Sequence, residues 1–323
     1  MNTLMSRLNR SQVQISAAAL AALAVLLLIT GIAMAGTYHG FLGTCASAHT
    51  CAEGHSLLFQ GDGVLNAVVY ATMAVPLLFG LFWGAPLVAR EFEADTHSLA
   101  WTQGVTRRRW LAVTAGWALA ATALWSAAMS ALVSWWRLPE NAVGIPYPRF
   151  DTGTFDIQGL VPVAYSVFAV ALGIATGALF RRLLPAMATT FAVFAGLRFA
   201  IAEYLRPHYM TPLTKVFPLS AMGFGAPPAT PVGSWVVRAL SAIGPNGHNY
   251  GDAIQFSFMP AACRSVAQGR IIPCMAARGF HAQAIYQPAT RFWAFQGIEA
   301  GIFVVLAAAL IALTWRLVLT RDA

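Results

Sequence analysis

The sequence predicts an all-α, polytopic membrane protein of six transmembrane helices, with both termini cytoplasmic and a large extracytoplasmic loop between helices five and six. Three observations carry this. Only 10% of the 323 residues are charged and 58% are hydrophobic, whereas a soluble domain carries roughly 25% charged residues. The apolar residues fall in six blocks, each near the ~20 residues a membrane-crossing helix needs. Arginines sit in short runs beside those blocks, the pattern that orients membrane proteins. Disorder, coiled coil and a small disulfide-built secreted domain are excluded.

The blocks are Ile15–Ala35, Val64–Trp83, Trp110–Val133, Leu160–Phe180, Leu184–Ile201 and Phe295–Leu317. Only Arg181, Arg182 and Leu183 separate the fourth from the fifth, which makes them a tight helical hairpin. Arg7 and Arg10 precede the first span, Arg90 and Arg107–Arg109 follow the second, Arg181 and Arg182 follow the fourth, and Arg316 and Arg321 end the chain. The loop Gly36–Gly63 has no Lys or Arg. By the positive-inside rule both termini and the even-numbered loops are cytoplasmic. The basic start, apolar run and Ala33-Met34-Ala35 mimic a signal peptide, but the run exceeds the usual 7–15 residues and is read as a retained first helix. Leu4, Met5 and Leu8, alternating with Arg7 and Arg10, suggest a short interfacial helix before it.

The chain divides into residues 1–203, five spans with a cytoplasmic coupling segment at 90–104; residues 204–292, the outer loop; and residues 293–323, the last span and tail. Tyr204–Phe292 holds ten of the 17 prolines and eight glycines, which argues for an ordered, turn-rich region without further spans. Ser234 before Trp235–Ile243 reads as one capped helix within it. The four cysteines, Cys45, Cys51, Cys263 and Cys274, all fall in loops that the charge argument places outside, where disulfides persist. Local pairing, Cys45–Cys51 and Cys263–Cys274, is expected, with a cross-link between the two loops as the alternative.

Several chemistries lack their residues. The single lysine, Lys215, has neither the glycines nor the following hydroxyl of a phosphate-binding loop, so this chain has no nucleotide site of that kind. HExxH and GxSxG are absent. Cys45-x3-His49-x-Cys51-x3-His55 offers metal-ligand residue types, yet its spacing matches no standard finger and oxidised cysteines do not ligate; no metal site is assigned. The +8 charge is explained by orientation rather than by nucleic acid. Apart from Arg316 at the cytoplasmic end of the sixth, the charged residues within the spans are Arg198 and Glu299, with Glu203 near the end of the fifth. Arg198 and Glu299 each lie about 9 Å below the outer end of their helices at 1.5 Å per residue, which predicts an ion pair. Gly173-x3-Gly177 permits close helix approach. In the second loop Glu91, Glu93 and Asp95 precede Leu99 and Trp101, a short amphipathic helix that serves either as an interfacial element or as a docking element for another protein.

Gly84-Ala85-Pro86-Leu87-Val88-Ala89-Arg90-Glu91 through Thr106-Arg107-Arg108-Arg109-Trp110 resembles the loop after the second helix in permeases of the ABC-2 exporter type. Ala171-Leu172-Gly173 to Arg181-Arg182-Leu183-Leu184-Pro185-Ala186-Met187-Ala188 is similar to their fourth-to-fifth hairpin. Tyr286-Gln287-Pro288, Arg291-Phe292-Trp293 and Phe295-Gln296-Gly297-Ile298-Glu299 resemble their entry into the last helix. The resemblance implies a bacterial inner-membrane subunit that is not itself an enzyme and has no cofactor of its own. ATP and Mg would be held by two copies of a separate cassette ATPase, and a second copy of this chain would complete a homodimer. Membrane lipid and a hydrophobic small-molecule or peptide substrate are the other implied partners, with no nucleic acid. Carried onto this chain, coupling falls to Glu91–Gln103, with Glu91, Glu93 and Asp95 facing basic groups on the ATPase and Phe92, Leu99 and Trp101 filling its groove. The outer loop is larger than that family's usual re-entrant segment. The alternative is an intramembrane enzyme or metal-handling protein built on the outer Cys/His loop.

Overall fold

All six apolar blocks lie on helices in the computed structural model, which describes residues 10–48, 62–93, 106–143, 149–219, 233–250, 259–267 and 270–320. The helices are α1 (Arg10–Ala48), α2 (Asp62–Phe79), α3 (Ala85–Glu93), α4 (Arg107–Trp136), α5 (Leu138–Val143), α6 (Thr152–Phe155), α7 (Val161–Phe180), α8 (Leu183–Ala200), α9 (Ala261–Arg264), α10 (Ile271–Ala276) and α11 (Phe292–Thr320). Six helical stretches among the described residues are long and apolar enough to cross a membrane. The first helix outruns its expected end at Ala35 and continues to Ala48. Its glycines at 36, 40 and 43 each cost only about 1 kcal/mol in a helix, and no proline stops it. Cys45 therefore lies on a helix rather than in a loop.

The chain forms two compact units, the first comprising Met1–Glu140, Thr152–Ile201 and Gln296–Ala323. At its centre stands α7, with 78% of its span buried against 22–33% for the other five. A helix that is apolar all round belongs inside, and α7 has no polar stripe. The motif Gly173-x3-Gly177 acts here together with a second pair, Gly80 and Gly84. Gly80–Gly84 is a single π-helical turn joining α2 to α3. A Cβ on Gly84 would lie 2.6 Å from the Val170 carbonyl oxygen, and one on Gly173 would lie 2.5 Å from the Ala85 amide nitrogen. Both backbones approach so closely that only hydrogen fits between them. The α7–α8 turn follows at once, with Arg181 left-handed at φ 55°.

The second unit comprises Asn141–Asp151 and Ala202–Phe295. It contains a three-stranded antiparallel sheet in the order β1 (Leu213–Pro218), β3 (His281–Gln287), β2 (Trp235–Ile243). The all-α expectation fails here, and Trp235–Ile243 is a strand rather than a capped helix. Its Ser234 hydroxyl makes no hydrogen bond among the described residues, so the presumed cap holds nothing. Val236 pairs with Tyr286 and Ile243 with His281, and β3 buries Ala282, Ala284 and Tyr286 on one face with the period of two that strands require. Leu219, Ala242, Met259, Cys263, Met275 and Phe280 form a small core. Within it Cys263 on α9 and Cys274 on α10 are disulfide-bonded, the local pairing expected of them. Phe150 stacks on Trp235 with ring centroids 5.9 Å apart. Arg149 lies 4.1 Å over the Phe292 ring, where burial holds its guanidinium below the usual arginine value.

Candidate functional site

Two features of the membrane unit join several helices at once. The first is a buried polar chain. Arg198, near the end of α8, donates from Nε and Nη2 to Asp156 Oδ2 at 3.0 and 2.9 Å. Its Nη1 donates to the Met73 carbonyl on α2 at 3.1 Å. Pro76 lies in the same turn, where its missing N–H leaves the neighbouring Thr72 carbonyl without its helical donor. The Tyr165 hydroxyl on α7 donates to Glu299 Oε1 on α11 and lies 3.3 Å from Asp156 Oδ1. Asp156, Tyr165 and Glu299 are all buried. The expected Arg198–Glu299 pair is therefore not formed. Asp156 and the Tyr165 phenol stand between the two residues. Asp156 precedes the fourth apolar block, in a stretch that reads as loop, so sequence reasoning passed over it.

Gln296, completely buried, closes the same region. Its Oε1 accepts from the Leu160 and Val161 amides at 2.9 Å each, and its Nε2 donates to the Phe155 carbonyl at 2.9 Å. It thus satisfies orphan amides at the start of α7. Gly159, at φ 79°, gives this turn its shape, and a Cβ there would lie 2.7 Å from Gln296 Oε1.

The second feature is the α3 end. Ala85, Val88, Ala89 and Phe92 are buried, at i, i+3, i+4 and i+7 of one helix face. The Arg181 guanidinium lies 4.9 Å over Phe92, and the Leu183 amide donates to Glu93 Oε2 at 3.2 Å. Phe92 is consequently packed inside this chain and is not available to fill a groove on an ATPase. The apolar stripe of α3 begins at Ala85, just past the expected end of the second span at Trp83, and so precedes the segment read as amphipathic. Glu91 is half-buried and Glu93 exposed. Asp95, Leu99 and Trp101 lie outside the described residues, as do Cys51, His49 and His55 and with them the Cys45–Cys51 pairing. Among the described residues no cluster of His, Cys, Asp and Glu is arranged to hold a metal ion.

The model of the family described as ABC-2 membrane transporter related matches residues 17–206, which include five of the six spans, the α3 end and the Arg198–Asp156–Tyr165 part of the polar chain, but not Gln296 or Glu299. The chain belongs to that family. It is an ABC-2 type permease, a multi-pass membrane protein. No curated protein and no solved structure was found to match it. The permease also carries an apolar groove of about 490 Å³, lined by Leu119 of α4, Val167 of α7 and Val304, Ala307, Ala308 and Ile311 of α11, among others. An adjoining hollow of about 200 Å³ shares Leu119, Ile311 and Trp315 and continues to Leu111. Ala307, Ala308 and Gly116 are too small to fill the space between the flanking larger side chains.

Proposed function

We propose that this permease is the membrane subunit of an ATP-driven exporter, carrying a hydrophobic or amphipathic compound (drug, antibiotic or lipid-like) out of a bacterial cell. Two copies of a cassette ATPase hydrolyse ATP with Mg, and two copies of this chain form the pathway in the inner membrane. The observation that carries the reading is the fixed joint at the end of α3. A helix that leaves the membrane rigidly attached to α7 by the glycine crossing, and to the α7–α8 turn by Arg181 and Leu183, transmits force applied at its tip. Glu91, Glu93 and Asp95, with Leu99 and Trp101 beyond them, form the surface that receives that force. The apolar helical interior suits a substrate that partitions into lipid.

The test is reconstitution with the cassette ATPase in proteoliposomes, reading ATP turnover and movement of an amphipathic fluorescent dye. Dye movement that needs ATP and both proteins is the expected result. A permease that never co-purifies with the ATPase, in vesicles whose dye flux ignores ATP, would overturn the reading.

A further inference from the structure

We propose that the groove between α4, α7 and α11 binds one anionic membrane phospholipid, with an acyl chain in the groove and the headgroup against Arg108. The inference rests on membership of a membrane-spanning family and is independent of the direction or substrate of transport. Along α11 the lining runs from Val304 to Trp315, which is about 16 Å at 1.5 Å per residue. That is close to half of the ~30 Å hydrocarbon core, so the groove matches one leaflet and therefore one acyl chain. Its walls are apolar apart from Thr314 and Trp315, and the Thr314 hydroxyl at the rim is already given to the Leu310 carbonyl.

The end of the groove selects the headgroup. On α4 the lining residues nearest the helix start are Leu111, Ala112 and Ala115. Arg108 precedes them by three, four and seven positions, which puts it on the same helix face. Helical side chains lean toward the N-terminus, so Arg108 reaches away from the apolar lining, with its stem along the helix and its guanidinium toward the headgroup layer. Arg109 stands in the same relation to Ala112 and Gly116. Both arginines are exposed, and among the described residues neither has an ion-pair partner. Trp315 lies at this end of the groove, an amphipathic ring of the kind that favours the membrane interface. A zwitterionic lipid fills the groove equally well but leaves these cations without a counter-charge. Each basic side chain near the surface favours an anionic headgroup about fivefold.

Trp315 supplies the readout. The permease is reconstituted in vesicles in which either phosphatidylglycerol or phosphatidylcholine carries brominated acyl chains, and quenching is compared between the wild type and Trp315→Phe to isolate the Trp315 component. That component should be half-quenched at a mole fraction of brominated phosphatidylglycerol at least fivefold lower than of brominated phosphatidylcholine. The double variant Arg108→Gln, Arg109→Gln should remove most of the preference, and the double variant Arg108→Lys, Arg109→Lys should keep most of it. Equal quenching by the two lipids in the wild type means ordinary boundary lipid and overturns the proposal. So does a preference that survives the Arg108→Gln, Arg109→Gln double variant, or a Trp315 component that neither lipid quenches, which would mean that protein covers the groove. The wild-type comparison needs only the conservative Trp315→Phe variant to fold, and none of these outcomes depends on whether the permease exports anything.

Discussion

Arg198 and Asp156 meet on a single oxygen: both Nε and Nη2 of the guanidinium close on Asp156 Oδ2, 42 residues earlier in the chain. The arginine side chain is 14% exposed and the carboxylate 1%, so each depends on the other for solvation. Removing one partner of a buried pair costs about 3–5 kcal/mol, whereas replacing both by apolar residues is often tolerated. Asp156→Ala should therefore lower the thermal midpoint in detergent well below that of the double variant Asp156→Leu, Arg198→Met. Glu299→Gln, which still accepts from the Tyr165 hydroxyl, should shift it much less. A Glu299→Gln loss as large as that of Asp156→Ala would make Glu299 the true counter-ion.

The glycine crossing makes a second prediction, with its control in the same molecule. Gly84→Ala places a methyl group 2.6 Å from the Val170 carbonyl oxygen, whereas a Cβ on Gly196 of α8 meets nothing within 4 Å. Overpacking of this kind costs about 1–3 kcal/mol; removing an unneeded helical glycine gains up to about 1 kcal/mol. Gly84→Ala should melt earlier than the wild type and Gly196→Ala at the same temperature or later. Equal midpoints for the two variants would mean that α3 and α7 are not held at the distance described.

The helical architecture was legible because a span must be apolar for its whole length, and six such runs leave little ambiguity. What the pattern hides is tertiary. Asp156 reads as a loop residue because nothing before the fourth block announces burial; it becomes buried only when α7, α8 and α11 surround it. Gln296 looks incidental within an apolar helix, and its role exists only where the first turn of α7 lacks partners. Trp235–Ile243 is a short apolar run with no proline, for which helix and strand compete evenly until a partner is known, and β3 decides it. The stripe that buries Phe92 is hidden because it begins at Ala85, between the second apolar block, which ends at Trp83, and the coupling segment, which starts at residue 90. Gly173-x3-Gly177 was visible, but its counterpart at Gly80 and Gly84 matters only through the π turn that aligns it.

The outer unit has a core of few residues and a disulfide closing a loop across 11 positions. Loops of this size stabilise by about 2–3 kcal/mol in the chain-entropy account. Peptide mapping without reductant should recover Cys263 joined to Cys274. Mild reduction should expose β1–β3 and the surrounding segment to proteolysis before any of the spanning helices. A Cys263 or Cys274 peptide joined to Cys45 or Cys51 would contradict the described pairing.

Phe92 and Trp101 separate folding from coupling, because they lie nine residues apart in one segment and are assigned opposite duties. Phe92 is buried against this chain's own hairpin and under Arg181, so Phe92→Ala should behave as a core truncation, costing about 3–5 kcal/mol. Its folded yield should fall whether or not an ATPase is present. Trp101 is assigned to the partner's groove, where a buried aromatic supplies a large share of the binding energy. Trp101→Ala should leave yield and thermal midpoint of the isolated permease unchanged while reducing co-purified ATPase at least tenfold. Size-exclusion profiles of each variant, with and without the co-expressed ATPase, read both quantities in one experiment. If Trp101→Ala retains its ATPase and its substrate-stimulated ATP turnover, the docking surface is elsewhere, and Glu91, Glu93 and Asp95 lose their assigned role with it.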